Sequence, residues 1–384
     1  MWHPMHALLF LPVALLVCIS ACGEVSPGGA ASSSSTTRAS STSSSISTSS
    51  STSSSITTSS SSSASSTSAT SSSSSSNASV AVLFGGGGGE NVLDDTWTWD
   101  GSAWTQLTVT GPSARAGASL ASAFGTAVLF GGEVPTIAET APPSAGVPVV
   151  DDDMWLWNGQ SWTETQTTVP PAASSCGAMA ASGSFLVLFG GVGTAPDGGT
   201  ADGDTWIWSG TAWTQKAPAG PAPPARQEAS MVTWNGQALL FGGEDNSSIS
   251  LYGDLWSWNG TSWTEYPTPT GFDAAPSPRS SAAMAVVNGL VVVFGGYAFQ
   301  DDANVIVGDT WTWDGTSWSF VAQPGPSARD FAVAASVGGK MVLFGGEDEN
   351  GNILGDTWTF DGTTWTQEMV TGPSARAGAS MTAM

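Results

Sequence analysis

The chain has 384 residues, a formal net charge of −23, 47 glycines and 19 tryptophans, and 10% of its residues are charged. So few Lys and Arg exclude a nucleic-acid surface, because phosphate binding depends on basic side chains that displace counterions. Abundant Gly, Thr and Trp without Leu-rich periodicity reads as an all-β chain with many tight turns.

In chain order, Ala7 to Ser20 form one apolar stretch, too short for a comfortable membrane span and placed where a signal-peptide core belongs. It ends in Ile19-Ser20-Ala21-Cys22-Gly23, which resembles the lipobox of bacterial lipoproteins. That resemblance implies a signal peptide over residues 1–21, cleavage before Cys22 and a lipid on Cys22. Plain secretion with cleavage near Ala21 is the alternative. Both place the protein outside the cytoplasm, in the cell envelope or secreted, and the lipid would make the membrane a partner. Residues 22–79 are almost wholly Ser, Thr and Ala in their later part, too poor in apolar side chains to offset the entropy of ordering. A disordered tether is expected there, leading to a folded domain over residues 80–384. With Cys18 and Cys22 in the leader, Cys176 stands alone in that domain, so no disulfide is expected within it.

From Ser79 the chain repeats. Phe-Gly-Gly recurs at Phe84, Phe130, Phe189, Phe241, Phe294 and Phe344, each time after an apolar run such as Ala81-Val82-Leu83. An Asp-led strand follows each copy, as in Asp95-Thr96-Trp97-Thr98-Trp99, then a short turn and a third Trp such as Trp104. Alternation puts both Trp of Asp-Thr-Trp-Thr-Trp on one face, which is strand behaviour. Asp100-Gly101 and its relatives are hairpin-turn signals, because both residues tolerate positive φ. A further signature, Gly-Pro-Ser-Ala-Arg in its cleanest form, supplies Arg115, Arg226, Arg279, Arg329 and Arg376, with Ser174 in the remaining place.

A Gly-Gly doublet after an apolar strand, then aromatics ending in Trp, at a period near 50 residues, resembles the Kelch repeat. The resemblance implies a six-bladed β-propeller of four-stranded antiparallel blades. Its first unit lacks an Arg signature and an opening strand, and the chain ends with Ala375-Arg376-Ala377-Gly378-Ala379-Ser380-Met381. The C-terminal strand is therefore expected to complete the first blade and remove an open edge.

Catalytic chemistry is hard to find. His3 and His6 are the two histidines and both lie in the leader, which argues against His-dependent triads and His-ligated metals in the domain. Some Kelch-like propellers are copper radical oxidases, and Cys176 with three tyrosines does not supply that ligand set. The repeated Trp are expected to be core wedges between blades, with Trp234 outside the pattern and better placed for a special role. The repeated Arg are expected to be inter-blade hydrogen-bonding or ion-pair residues, with the repeat Asp as a candidate partner; a ring of Arg at a binding face is the alternative.

Variable segments between Phe-Gly-Gly and the repeat Asp should all project from one face of the ring, and loops on a rigid scaffold are where function sits. They hold the candidate binding residues Asp151, Asp152, Asp197, Asp202, Glu244, Asp245, Asp301, Asp302, Glu347, Asp348 and Glu349. The expected function is non-catalytic binding of a protein or glycan through this acidic face. Two alternatives remain: a calcium-dependent adhesion or glycan-binding protein, and an extracellular carboxylate-dependent hydrolase or lyase. No cofactor is expected apart from calcium in the first of these, and no EF-hand or nonapeptide calcium motif is present.

Overall fold

The computed structural model describes residues 80–89, 91–135, 149–193, 200–245, 250–269, 274–300 and 303–384. The leader, Cys22, the tether, Asp197, Asp301 and Asp302 lie outside the described residues. The domain is a six-bladed propeller whose blades are four-stranded antiparallel sheets.

Each blade begins with its innermost strand. In the second blade this is Ser119–Ala123, followed outward by Thr126–Phe130, Met154–Trp157 and Trp162–Glu164. The first blade is assembled from both ends of the chain. Ser380–Ala383 lies innermost and pairs with Ala81–Phe84 in the register Ala81 to Ala383 through Phe84 to Ser380, as the permuted repeat predicts. The Met384 N–H extends that ladder to the Val80 carbonyl at 2.8 Å. Innermost strands pack side by side around the ring, and the sixth, Val333–Val337, packs against Ser380–Ala383 to close it.

Burial follows the position of a strand in its blade. The second strand is covered on both faces by neighbouring blades, so it is apolar without alternation: Ala81–Phe84, Leu186–Phe189 and Val291–Phe294 are buried throughout. The third strand buries its final Trp completely, at Trp99, Trp157, Trp208 and Trp258. The outermost strand keeps its leading Trp buried in most blades, while its next two residues face water. Burying a side chain of this size is a large favourable term, and six blades repeat it.

Phe-Gly-Gly has a steric cause. Gly85 and Gly86 both have positive φ, +66° and +97°. A Cβ at Gly85 would lie 2.5 Å from the Arg115 carbonyl oxygen, and one at Gly86 would lie 2.9 Å from the Ala379 Cβ. Only Gly permits both the backbone conformation and the close approach.

Cys176 departs from the expectation of no disulfide in the domain: it is disulfide-bonded.

Candidate functional site

Strand order fixes which segments share a face. Hairpin turns between first and second strands, and between third and fourth, lie on one face, called here the turn face. The segments after Phe-Gly-Gly and those carrying the Arg signature lie on the other, the loop face.

Beneath the loop face the repeated polar residues form an internal lattice. Arg226 donates from both terminal nitrogens to Asp254, at 2.6 and 2.8 Å, and to the Gly242 carbonyl at 2.8 Å. Arg279 with Asp309, Arg329 with Asp356, Arg376 with Asp95 and Arg115 with Asp153 repeat this fork-to-fork geometry. All five Arg residues are about 1% exposed, so they form no ring of cations for a ligand. The second carboxylate oxygen also accepts the indole N–H two residues on, as Asp254 does from Trp256 at 2.7 Å. Burial pushes Asp95, Asp254, Asp309 and Asp356 up, but the Arg and Trp donors outweigh it and hold them below the ordinary value. In the third blade Ser174 removes the Arg. There burial, with the charge of Asp202, raises Asp204, and Gln215 supplies one hydrogen bond at 2.6 Å.

The leading Trp of the outermost strands stitch blades together. Trp104, Trp162, Trp263 and Trp365 donate to Thr357, Thr96, Thr205 and Thr310 of the preceding blade at 2.9 to 3.0 Å. Trp234 acts similarly, donating to the Gly289 carbonyl at 2.8 Å with its ring 4.7 Å from that of Trp313.

At the centre of the loop face the backbone closes a ring of its own. Six residues, each two positions beyond the Arg position, have φ between 48° and 67°: Gly117, Cys176, Glu228, Ser281, Phe331 and Gly378. Each donates its N–H to the carbonyl of its counterpart in the blade before, from Cys176 to Gly117 at 2.7 Å round to Gly117 to Gly378 at 2.9 Å. This closed circle is the mouth of the central channel. The next residues, Ala118, Gly177, Ala229, Ala282, Ala332 and Ala379, line a cavity of about 190 Å³ immediately below it.

Carboxylates crowd around this mouth. Glu133, Glu244 and Glu347 immediately follow Phe-Gly-Gly in the second, fourth and sixth blades, and are 6%, 7% and 2% exposed. Asp330, one residue after its Arg, is 3% exposed, and Glu228 is partly buried in the ring itself. Burial raises Glu133 to about 7, opposed by a hydrogen bond from Ser175. Burial, then the charge of Glu244, puts Glu228 well above the carboxylate range.

The sequence-predicted candidates divide among these settings. Glu244 and Glu347 are buried at the mouth. Asp151 lies 3.7 Å from Arg115 and accepts the backbone N–H groups of Asp152 and Asp153. Asp348 is engaged by its own turn, accepting from the N–H groups of Asn350 and Asn352. Asp152, Asp202 and Glu349 are exposed, and Asp245 is partly exposed. Sequence reading passed over Glu133, Glu228 and Asp330. A Glu after Phe-Gly-Gly in every second repeat was the visible signal for the first of them.

The channel cavity is lined by Ala, Gly, Ser, Leu, Val and Met, and none of these carboxylates is part of its wall. The geometry is that of a ring with an acidic rim above an apolar channel cavity. The sequence matches the KLHDC2/KLHL20/DRC7 Kelch-repeats domain over residues 126–322 and again over 275–384, together more than half of the chain. With the six blades and their closure, that match shows that the chain belongs to the Kelch-repeat domain family.

Proposed function

We propose that this protein is an exported, non-catalytic binding module, held to a membrane through lipid on Cys22, which takes a protein or glycan partner on its loop face. Kelch domains generally mediate protein binding, and the distribution of side chains supports that role for this face. The repeated Arg are consumed by internal pairs, so their charge is not offered to a ligand. The non-repeated segments of the loop face instead present exposed acids, Asp152, Asp202 and Glu349, beside exposed apolar side chains. Val149, Val169, Phe299, Val305 and Met369 are all exposed on these segments, Met369 by 87%. The turn face also exposes acids, such as Asp100, Asp314 and Asp361, but among the described residues Phe124 is its one exposed large apolar side chain. Apolar exposure therefore concentrates on the loop face, as suits a recognition surface. This distribution is the observation that carries the reading.

The test screens the purified protein against peptide and glycan arrays. Loop-face variants (Asp152→Asn with Glu349→Gln, and Phe299→Ala) are compared with turn-face variants (Asp100→Asn and Asp314→Asn). Asn already occupies the equivalent turn position at Asn158 and Asn259, so the turn-face changes preserve the fold. Binding lost in the loop-face set and kept in the turn-face set supports the proposal; the reverse pattern refutes it. Incorporation of labelled fatty acid, abolished by Cys22→Ala, tests the anchor separately.

A further inference from the structure

The sixth blade puts two carboxylates where the fourth puts an amide and a carboxylate. Gln227 and Glu244 face each other across an antiparallel bridge, and the Gln227 Nε2 donates to Glu244 Oε1 at 3.0 Å. Asp330 and Glu347 occupy the same two places, bridged by backbone hydrogen bonds of 3.1 and 3.0 Å. Two ionised carboxyls have no proton to share, so the side-chain bond of the fourth blade has no counterpart here.

The neighbouring blade adds nothing to help. Glu133 receives a hydroxyl from Ser175 of the next blade at 3.1 Å, and Glu244 receives one from Ser280 at 3.3 Å. The residue in that position beyond Glu347 is Ala377, which has no hydroxyl. Arg329 is already committed to Asp356, Gly345 and Ser327. Asp330 Oδ1 and Glu347 Oε2 are buried without any hydrogen-bond partner, as are single oxygens of Glu133 and Gln227 in the second and fourth blades. The sixth blade differs in setting two such carboxylates opposite each other across one bridge. A cation would satisfy both at once.

We propose that Asp330 and Glu347 are the side-chain ligands of a hard divalent cation of the calcium class, seated on the sixth-blade side of the channel mouth. A divalent ion matches the charge of the pair, and an all-oxygen donor set selects hard cations over zinc or copper. Burial, then the charge of Glu347, raises Asp330 to about 7, and burial, then the charge of Asp348, raises Glu347 to about 7, so negative charge is costly at both positions. Glu228, across the mouth, adds to the same field. No three acidic, histidine or cysteine side chains group as metal ligands among the described residues. Backbone oxygens and water must then fill the other positions, which sets affinity at roughly 10⁻⁴–10⁻³ M, the range of extracellular calcium modules.

The experiment follows the melting temperature of the purified full chain at about pH 8, after chelator treatment, against calcium chloride or sodium chloride of matched ionic strength. At ten times Kd, calcium should raise the wild-type melting temperature by about 3 °C beyond the salt control. Asp330→Gln copies the fourth blade, so it should fold and lose the calcium response, as should Glu347→Gln; near-UV circular dichroism confirms that each is folded. Asp151→Asn with Asp152→Asn, on the same face, should keep it. No rise in the wild type, an equal rise with sodium chloride, or a response that survives Asp330→Gln would each overturn the site.

Discussion

Arg376 and Asp95 stand 281 residues apart in the chain and form a two-pronged ion pair, 2.6 and 3.0 Å, with the Arg376 side chain fully buried. The same pair occurs within a continuous stretch in four other blades. In the first blade it joins the two ends of the domain, so it reports on ring closure. Arg376→Ala leaves Asp95 facing an emptied buried site, and breaking such a pair costs about 3 kcal/mol. Denaturant unfolding should show that loss. A double-mutant cycle with Asp95→Asn should give a coupling of at least 1 kcal/mol, roughly what directly contacting charged residues show.

The third blade supplies an internal control. Asp254→Asn strands Arg226 and should cost about 3 kcal/mol. Asp204 has no Arg partner, and its carboxyl is raised rather than lowered. Asp204→Asn should therefore change stability by less than about 0.5 kcal/mol, the ordinary range for a substitution that breaks no network. Equal costs at the two positions would show that the Arg pair contributes nothing.

Blade stitching by indole N–H groups makes a graded prediction. Thr96→Val leaves the buried Trp162 N–H without an acceptor and should cost about 1–3 kcal/mol. Trp213 instead meets the weakly accepting Met154 sulfur at 3.3 Å. Met154→Leu should cost under about 1.5 kcal/mol, since volume is nearly conserved. Chemical denaturation of both variants checks the order.

Stability should also carry the sign of the raised carboxyls. Glu133 lies near 7 in the fold against an ordinary 4.5, so folding takes up a proton between those values. Its contribution is fully present below about pH 4.5 and is lost as pH rises through 7. The lowered aspartates act oppositely: their contribution is present above pH 3.8 and lost as pH falls below it. Melting temperature should therefore fall from pH 5 to pH 8, and Glu133→Gln should flatten that slope. An unchanged slope in the variant would show that Glu133 titrates normally.

Much of this architecture was legible because repetition averages out ambiguity. One Asp-Thr-Trp-Thr-Trp is a weak strand signal; its equivalents with the same spacing to Phe-Gly-Gly define a blade. The orphaned Ala375–Met381 segment foretold the pairing of Ala81 with Ala383. The internal pairing of Arg with the repeat Asp followed from their recurrence, since both recur with the fold. The channel mouth was less legible for the opposite reason. Ala116, Ser175, Gln227, Ser280, Asp330 and Ala377 share one structural position yet differ in chemistry, so no repeat marks them. Glu244 and Glu347 read as loop acids because they begin variable segments, whereas backbone pairing with Gln227 and Asp330 turns them into the interior. Six left-handed residues linked in a circle across more than 250 positions leave no local sequence trace beyond Gly117 and Gly378.

Binding on the loop face is the central claim, and hydrogen exchange of the protein with its tightest array ligand tests it most directly. The account predicts slowed exchange in loop-face segments, around residues 149–153, 244–245, 297–300 and 347–352, with the hairpin turns near residues 100–103, 123–126 and 235–237 unchanged. Protection confined to those turns, with the loop face exchanging as in the free protein, would contradict it.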